Sequence, residues 1–455
     1  MDGETVVALA TPPGESGIAV VRISGPRAVD IIEGMSPGAS GWKSHETHLS
    51  RLESINGEIL DEALAICMLA PNSYTGEDVV EISCHGSMHL TGAIIEDIIL
   101  RGAEPAGQGE FTKRAYLNGR MDLIQAEAVA DLISSETKLQ SRVALAHLKG
   151  SLSRKVGEIE IGLLGQLALV EVSIDFSEED IETWSAEKLT GISVETRGKI
   201  AGLLESEMVG RKLRQGIRIT ILGPRNAGKS SLYNALIGEE RAIVSEIPGT
   251  TRDVLRERIH IGGLTYYLED TAGIAETGCE IEARGISMGM EAARGADIVL
   301  FVLDGSHKAR DEEEDELRNI SVVDHIVVLN KSDLGLTEST SEVAERFGEA
   351  DVIAVSATGG EGLTDLRNAI FGRTVGGDIS RLGSERIALN ARQSTALKDV
   401  SASLERMEKE IARKAGPEIV SMELREAIDA CGKVTGRAVS QDLLETIFSR
   451  FCIGK

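Results

Sequence analysis

The sequence predicts a multidomain α/β protein: an N-terminal α+β part, an α-helical part made of two separate stretches, and a phosphate-loop α/β domain inserted between them. Three observations carry this expectation. At 455 residues the chain is too long for one core, and about 150 residues per domain implies roughly three domains. The first 119 residues are short β-rich runs, whereas the stretches on either side of residues 216–374 have helical periodicity and little punctuation. Within 216–374 an apolar strand run leads straight into a glycine-rich, lysine-containing loop.

Taken in order, residues 1–119 contain "TVVALA", "GIAVVRIS", "ALAICMLA" and "DVVEISC", strand-like runs separated by Gly, Pro and Asn. "HLTGAIIEDIILRG" repeats its apolar residues at helical spacing and stops at Gly102. Residues 120–215 change texture. From Met121 to Ile159 there is no proline and a 3.6-residue apolar period, which predicts one long amphipathic helix or a hairpin of two. A new domain is expected near Gly216, where Ile217–Leu222 reads as a buried strand. The glycine-rich stretch from Gly372 reads as a linker, and helical texture returns over 375–455.

Composition excludes several classes. No apolar run approaches the roughly 18–20 residues that cross a bilayer, and "MDGET" is acidic where presequences are basic, so a cytoplasmic protein with no membrane partner is expected. The five scattered cysteines form no CxxC pair and suggest neither a disulfide framework nor a zinc site. A net charge of −25 argues against a general nucleic-acid coat protein. The charge is uneven, however: −10 over 1–119, −12 over 216–374 and only −3 over the helical stretches together, so any RNA contact is expected on the latter. The closing "FCIGK" sets Cys452 fourth from the end, but Gly454 and Lys455 do not fit a prenylation signal.

The strongest chemistry is "GPRNAGKSS", Gly223 to Ser231, between a strand and a helix. Its contact set is Asn226, Ala227, Gly228, Lys229, Ser230 and Ser231. The glycines let N–H groups curl around phosphates, Lys229 reaches the β and γ oxygens, and Ser230 holds Mg²⁺. "DTAG", Asp270, Thr271, Ala272 and Gly273, follows the strand "LTYYLE"; Asp270 is expected to reach the magnesium shell and Gly273 the γ-phosphate. "NKSD" contributes Asn330, Lys331 and Asp333, the last accepting the guanine N1 and N2 donors that adenine does not present in that arrangement. "SAT", Ser356, Ala357 and Thr358, completes the base pocket. Four motifs in this order define a Ras-like GTPase domain. In "VSEIPGTTRD", Thr251, with Thr250 beside it, is expected to complete the Mg²⁺ shell only with GTP. Ile274 stands where many GTPases carry a water-orienting glutamine, so hydrolysis needs help from elsewhere. Asn226 either holds a monovalent cation in place of an arginine finger or is an ordinary polar loop residue.

Together with these motifs, "TPPGESGIAVVRISGP", "PNSYTGEDVVEISCHG", "GEFTKRAYLNGRMDLIQAEAVADLI" and "FCIGK" make the whole chain resemble the MnmE (TrmE) family of tRNA-modification GTPases. The resemblance implies a tetrahydrofolate-binding and dimerising domain at 1–119, a discontinuous helical domain at 120–215 and 375–455, and an inserted GTPase domain at 216–374. It implies GTP, Mg²⁺, K⁺ and a tetrahydrofolate derivative, 5-formyl- or methylene-, as cofactors. The implied partners are a second copy of the chain, the FAD-dependent protein MnmG in a heterotetramer, and tRNA, whose wobble uridine is modified at carbon 5. Carried over by position, Asn226, Ser245, Ile247 and Thr250 bind potassium, Ser230 and Thr251 bind Mg²⁺, and Glu282 positions the attacking water. Arg22, Glu81, Arg120 and Lys455 contact folate, with Cys452 close by, either activating the uridine or only lining the site. The alternatives are a ribosome-assembly or RNA-chaperone GTPase, which usually carries a basic module that this chain lacks, and a folate-dependent one-carbon enzyme in which GTP only regulates.

Overall fold

The computed structural model describes residues 3–37, 41–175, 185–238, 256–270, 293–320, 323–347, 351–375, 382 and 386–455. They fall into two compact units. One comprises Met1–Ile133, His147–Arg197 and Thr395–Lys455, and the other Ser134–Ala146 with Gly198–Ser394.

The first unit is built on a six-stranded sheet, β3-β4-β5-β2-β1-β6, with β1 Val6–Leu9, β2 Ser16–Ser24, β3 Thr47–Glu53, β4 Ile59–Met68, β5 Val79–Gly86 and β6 Glu104–Pro105. All pairs are antiparallel except β1 with β6. The strands alternate as half-buried strands do. Ala19, Val21, Ile23, Val80, Ile82 and Cys84 enter a core closed by α1, Ala28–Met35, and α2, Met88–Leu100; α3, Glu110–Leu117, follows β6. Arg22 and Glu81, opposite each other across β2 and β5, therefore project from the other face.

The stretch from Met121 to Ile159 is neither one helix nor a hairpin of two. It forms α4, Leu123–Ile133, α5, Lys138–Leu148, and the start of α6, Ser151–Asp175. Local capping explains the first break: the Gln140 side-chain oxygen accepts from the N–H groups of Glu136 and Thr137, and the Thr137 hydroxyl accepts from the Gln140 N–H. Gly150, at φ +79°, makes the second. Helix α6 packs along Pro417–Thr435, while Leu123 and Ala126 of α4 form a small core with Phe448 and Phe451.

The second unit carries the other six-stranded sheet, β12-β11-β10-β7-β9-β8, parallel throughout except for the β8–β9 hairpin. Its strands are β7 Ile217–Leu222, β8 Arg256–Ile261, β9 Leu264–Asp270, β10 Ile298–Asp304, β11 His325–Asn330 and β12 Asp351–Ala354. The hairpin turns on Gly262 and Gly263, both at positive φ as a two-residue primed turn requires. Val143 of α5, together with Val209 and Leu213 of the helix Glu207–Gln215, packs into the core beneath this sheet.

The expected linker from Gly372 begins too early. The helix Leu363–Thr374 takes in its first three residues, where the buried Tyr266 hydroxyl bonds the Thr374 hydroxyl at 2.8 Å and Lys212 donates to the Thr374 carbonyl. Burial pushes the Tyr266 phenol up to about 12. Gly210 approaches the neighbouring backbone so closely that a Cβ there would overlap the Leu389 carbonyl. Gly210→Ala should cost about 2 kcal/mol. A thermal unfolding scan should show this as a transition lowered by about 5 °C. Among the described residues no helix is long and apolar enough to cross a membrane.

Candidate functional site

The first site grows out of the end of β7. Gly223 has φ +135°, and a side chain there would overlap the Val302 carbonyl of β10, so the chain leaves the sheet by a path open to glycine. Asn226 at φ +64° and Gly228 at φ +91° then bend the loop; asparagine tolerates the left-handed region better than most residues. Lys229 opens the helix Lys229–Gly238, and its ammonium folds back onto the carbonyls of Gly223 and Pro224, at 2.8 and 2.7 Å. Ser230 and Ser231 are exposed in the first turn, and Ala227 is buried beneath the loop. Concave backbone, helix N-terminus and lysine suit a polyphosphate.

The base-binding motifs converge on the same loop. Asn330, 2% exposed, closes β11; its amide donates to the Ala227 carbonyl at 2.9 Å while its oxygen accepts from the Ala357 N–H at 3.1 Å. One buried side chain thus ties phosphate loop, "NKSD" and "SAT" together. Lys331 follows in the left-handed region, φ +63°, a strained geometry for a side-chain-bearing residue. The buried Ser356 hydroxyl donates to Asp333 Oδ1 at 2.7 Å, accepts from the Gly359 N–H at 2.9 Å and lies 3.4 Å from the Thr358 hydroxyl. Asp333 is thereby oriented with one carboxylate oxygen engaged, leaving the carboxylate chemistry that guanine donors need.

The second site lies in the first unit, where the chain's last residues dock. Gln108 and Ile453 form an isolated antiparallel bridge, and the Gly109 N–H reaches the Cys452 carbonyl at 3.4 Å. Gly454, at φ +93°, lies against β1 so closely that a Cβ would overlap the Leu9 carbonyl. Arg22 is the hub. Its Nε and Nη2 reach Glu81 Oε1 at 2.8 and 2.7 Å, its Nη1 donates to the Gly454 carbonyl at 3.3 Å, and its guanidinium lies 5.5 and 5.4 Å from the Tyr74 and Phe111 ring centres. Cys452 is exposed and Lys455 partly so. The exposed Arg120 has its stem beside Gly76, in the loop that carries Tyr74.

The described residues bring together Arg22, Glu81 and the tail in one cluster, and the phosphate-loop, "NKSD" and "SAT" residues in another. Asp270 closes β9 in register with Ile221. Ser245, Ile247, Thr250, Thr251, Thr271, Ala272, Gly273 and Glu282 lie outside the described residues. Sequence reasoning missed Tyr74 and Phe111. The signal was present, an aromatic inside each of "PNSYTGED" and "GEFTKRAYLNGR", but nothing local said that both would meet one arginine.

Known proteins resemble this chain along its whole length. Residues 5–120 match the family described as GTP-binding protein TrmE N-terminus, and residues 123–452 match the MnmE helical domain. The tRNA modification GTPase MnmE of Aquifex aeolicus (strain VF5) is 42% identical over 453 residues, covering 99% of this chain and 100% of that protein. The protein of the same name from Heliobacterium modesticaldum (strain ATCC 51547 / Ice1) is 39% identical over 466 residues, covering both chains in full. With both ends of the chain matched and its length shared, the chain belongs to the MnmE (TrmE) family of tRNA modification GTPases.

Proposed function

We propose that the chain is a potassium-assisted GTPase that acts on tRNA, as a homodimer and together with the FAD-dependent protein MnmG. The outcome is an aminomethyl or carboxymethylaminomethyl group on carbon 5 of the wobble uridine, in the cytoplasm. One observation carries the reading: a single chain pairs a guanine-nucleotide site with a separate polar cluster in which Arg22 holds both Glu81 and the carboxyl-terminal tail. A switching GTPase without modification chemistry has no use for the second.

In this reading 1–119 is the folate-binding and dimerising domain, 120–215 with 375–455 the helical domain, and 216–374 the GTPase domain. Water attacks the γ-phosphorus, the bond to the bridging oxygen breaks, and GDP and phosphate leave. Lys229 neutralises the β and γ oxygens, and Glu282 positions the water. Ser230 and Thr251 would hold Mg²⁺, and Asn226, Ser245, Ile247 and Thr250 would hold K⁺, whose charge would serve where other GTPases use an arginine. Ser230 and Asn226 are the described members of these sets. Both offer a side-chain oxygen beside the phosphate cradle, a fit to hard cations. Arg22, Glu81, Arg120 and Lys455 would hold the tetrahydrofolate derivative, the source of the one-carbon unit. Their mixed charges suit a ligand with both a polar ring edge and carboxylates.

The test is nucleoside analysis of tRNA from a strain lacking this chain. The carbon-5 group should disappear from wobble uridines and return with the full-length protein; unchanged nucleosides would overturn the proposal. The cation role is checked separately. GTP hydrolysis should run at least about tenfold faster in potassium than in sodium chloride, and equal rates would remove Asn226 from it.

A further inference from the structure

The ends of β10 and β11 are stitched together. Asp304 pairs in register with Asn330, and the Gly305 N–H donates to the Asn330 carbonyl at 2.8 Å. The Asp304 carboxylate is divided between two jobs. Oδ1 accepts from the Ser306 N–H and hydroxyl at 3.0 and 2.6 Å, which locks its orientation, and Oδ2 takes the Lys331 ammonium at 2.6 Å, with Nδ1 of the exposed His307 farther off at 3.6 Å. Lys331 lies between Asn330, which ties the phosphate loop to "SAT", and Asp333, which faces the base. Its stem passes over the loop, with Cε 4.0 Å from where a Gly228 Cβ would sit. Burial works to raise the Asp304 carboxyl, but Lys331 and Ser306 outweigh it and hold it at about 2, so the ion pair persists at any physiological pH. Both partners are partly exposed, at 32% and 22%, so the pair contributes little to stability. It does hold a left-handed lysine in one orientation.

We propose that Asp304 is a positioning residue for guanine-nucleotide binding: by holding the Lys331 ammonium it sets the lysine stem over the phosphate loop and fixes the backbone between Asn330 and Asp333. The inference rests on the guanine-site reading of "NKSD" and adds a residue that none of the four motifs contains. Without Asp304, Lys331 samples other orientations, and bound nucleotide loses one wall of its site for part of the time.

Asp304→Asn is the discriminating change. It keeps an oxygen for Ser306 and turns an amide NH₂ toward the ammonium, so the orienting contact survives while the ion pair does not. The full chain, Asp304→Asn, Lys331→Ala and the double variant are compared by release of a fluorescent methylanthraniloyl-GDP and by steady-state GTP hydrolysis. Asp304→Asn should release GDP about tenfold faster and raise KM for GTP by a similar factor, with kcat changed less than about twofold. The double variant should release GDP no faster than Lys331→Ala alone, because Asp304 acts through that lysine. Release from Asp304→Asn within about twofold of the parent, or single effects that multiply in the double variant, overturns the proposal. If the parent chain binds the matching adenosine probe equally well, the guanine-site reading itself fails, a result separable from the first two.

Discussion

Asp333→Asn should turn a guanine site into a xanthine site. The Ser356 hydroxyl donates to Asp333 Oδ1, and an asparagine can keep that bond through its amide oxygen. Its NH₂ group then occupies the place of the second carboxylate oxygen. Guanine presents donors at N1 and N2, so this substitution sets donor against donor. Xanthine carries a carbonyl at C2 and accepts what the amide offers. Unmatched polar groups at a buried edge are costly, and kcat/KM for GTP should fall by about a thousandfold or more while XTP becomes a substrate. Hydrolysis of both nucleotides is measured side by side on the full chain. A GTP loss below about tenfold with no gain for XTP would show that Asp333 is not the base selector.

The second large effect is expected at the tail. Gly454→Val adds side-chain atoms where even one carbon overlaps the Leu9 carbonyl, at a φ that valine avoids. The last residues should therefore lift from β1, taking with them the Ile453–Gln108 bridge and the Gly454 carbonyl that Arg22 holds. Binding of 5-formyltetrahydrofolate, followed by calorimetry, should weaken by about a hundredfold, close to 2.7 kcal/mol. GTP turnover should stay within about twofold, since the nucleotide residues belong to the other unit. Parent-like folate affinity in Gly454→Val would remove the tail from the site. Cys452→Ser separates the two roles of the thiol. Lost modification with retained folate binding marks a covalent step, whereas retained modification leaves Cys452 as lining.

What the sequence disclosed and what it hid divide by the range of the physics. The phosphate loop was legible because its chemistry is local: strand, glycines, lysine and helix start lie within a few residues, and Ile217–Leu222 reads as buried on its face. The hairpin at Gly262 and Gly263 was legible for the same reason. By contrast, β3, "THLSRLE", sets only Leu49 and Leu52 among polar and charged residues and gives no apolar run to notice; it is a strand because β4 pairs with it. The three-helix outcome after Met121 depended on Gln140 reaching back to cap its own helix, in a stretch with no proline and no glycine before Gly150. Arg22 and Glu81 stand out only through the family resemblance, each unremarkable as a single surface charge. Their meeting is a matter of strand register across 59 residues of chain. The Asp304–Lys331 pair is hidden likewise, in two residues brought together by adjacent parallel strands.

The division of the chain between its two units also has a consequence for biosynthesis. The segment Ser134–Ala146 belongs with Gly198–Ser394, although the chain on both sides of it belongs elsewhere, and Val143 shares a core with residues as distant as Ala388. On the ribosome, which adds roughly 5–20 residues per second, the α5 segment emerges tens of seconds before its last packing partners. The first unit waits longer still to close, because Gly109 and α4 are not covered until Phe448 and Phe451 are made. Neither unit can finish as a nascent domain before the chain is nearly complete. Apolar α5 surface is then exposed throughout elongation, so shielding by a chaperone during synthesis is expected to govern how much of this protein reaches its native state.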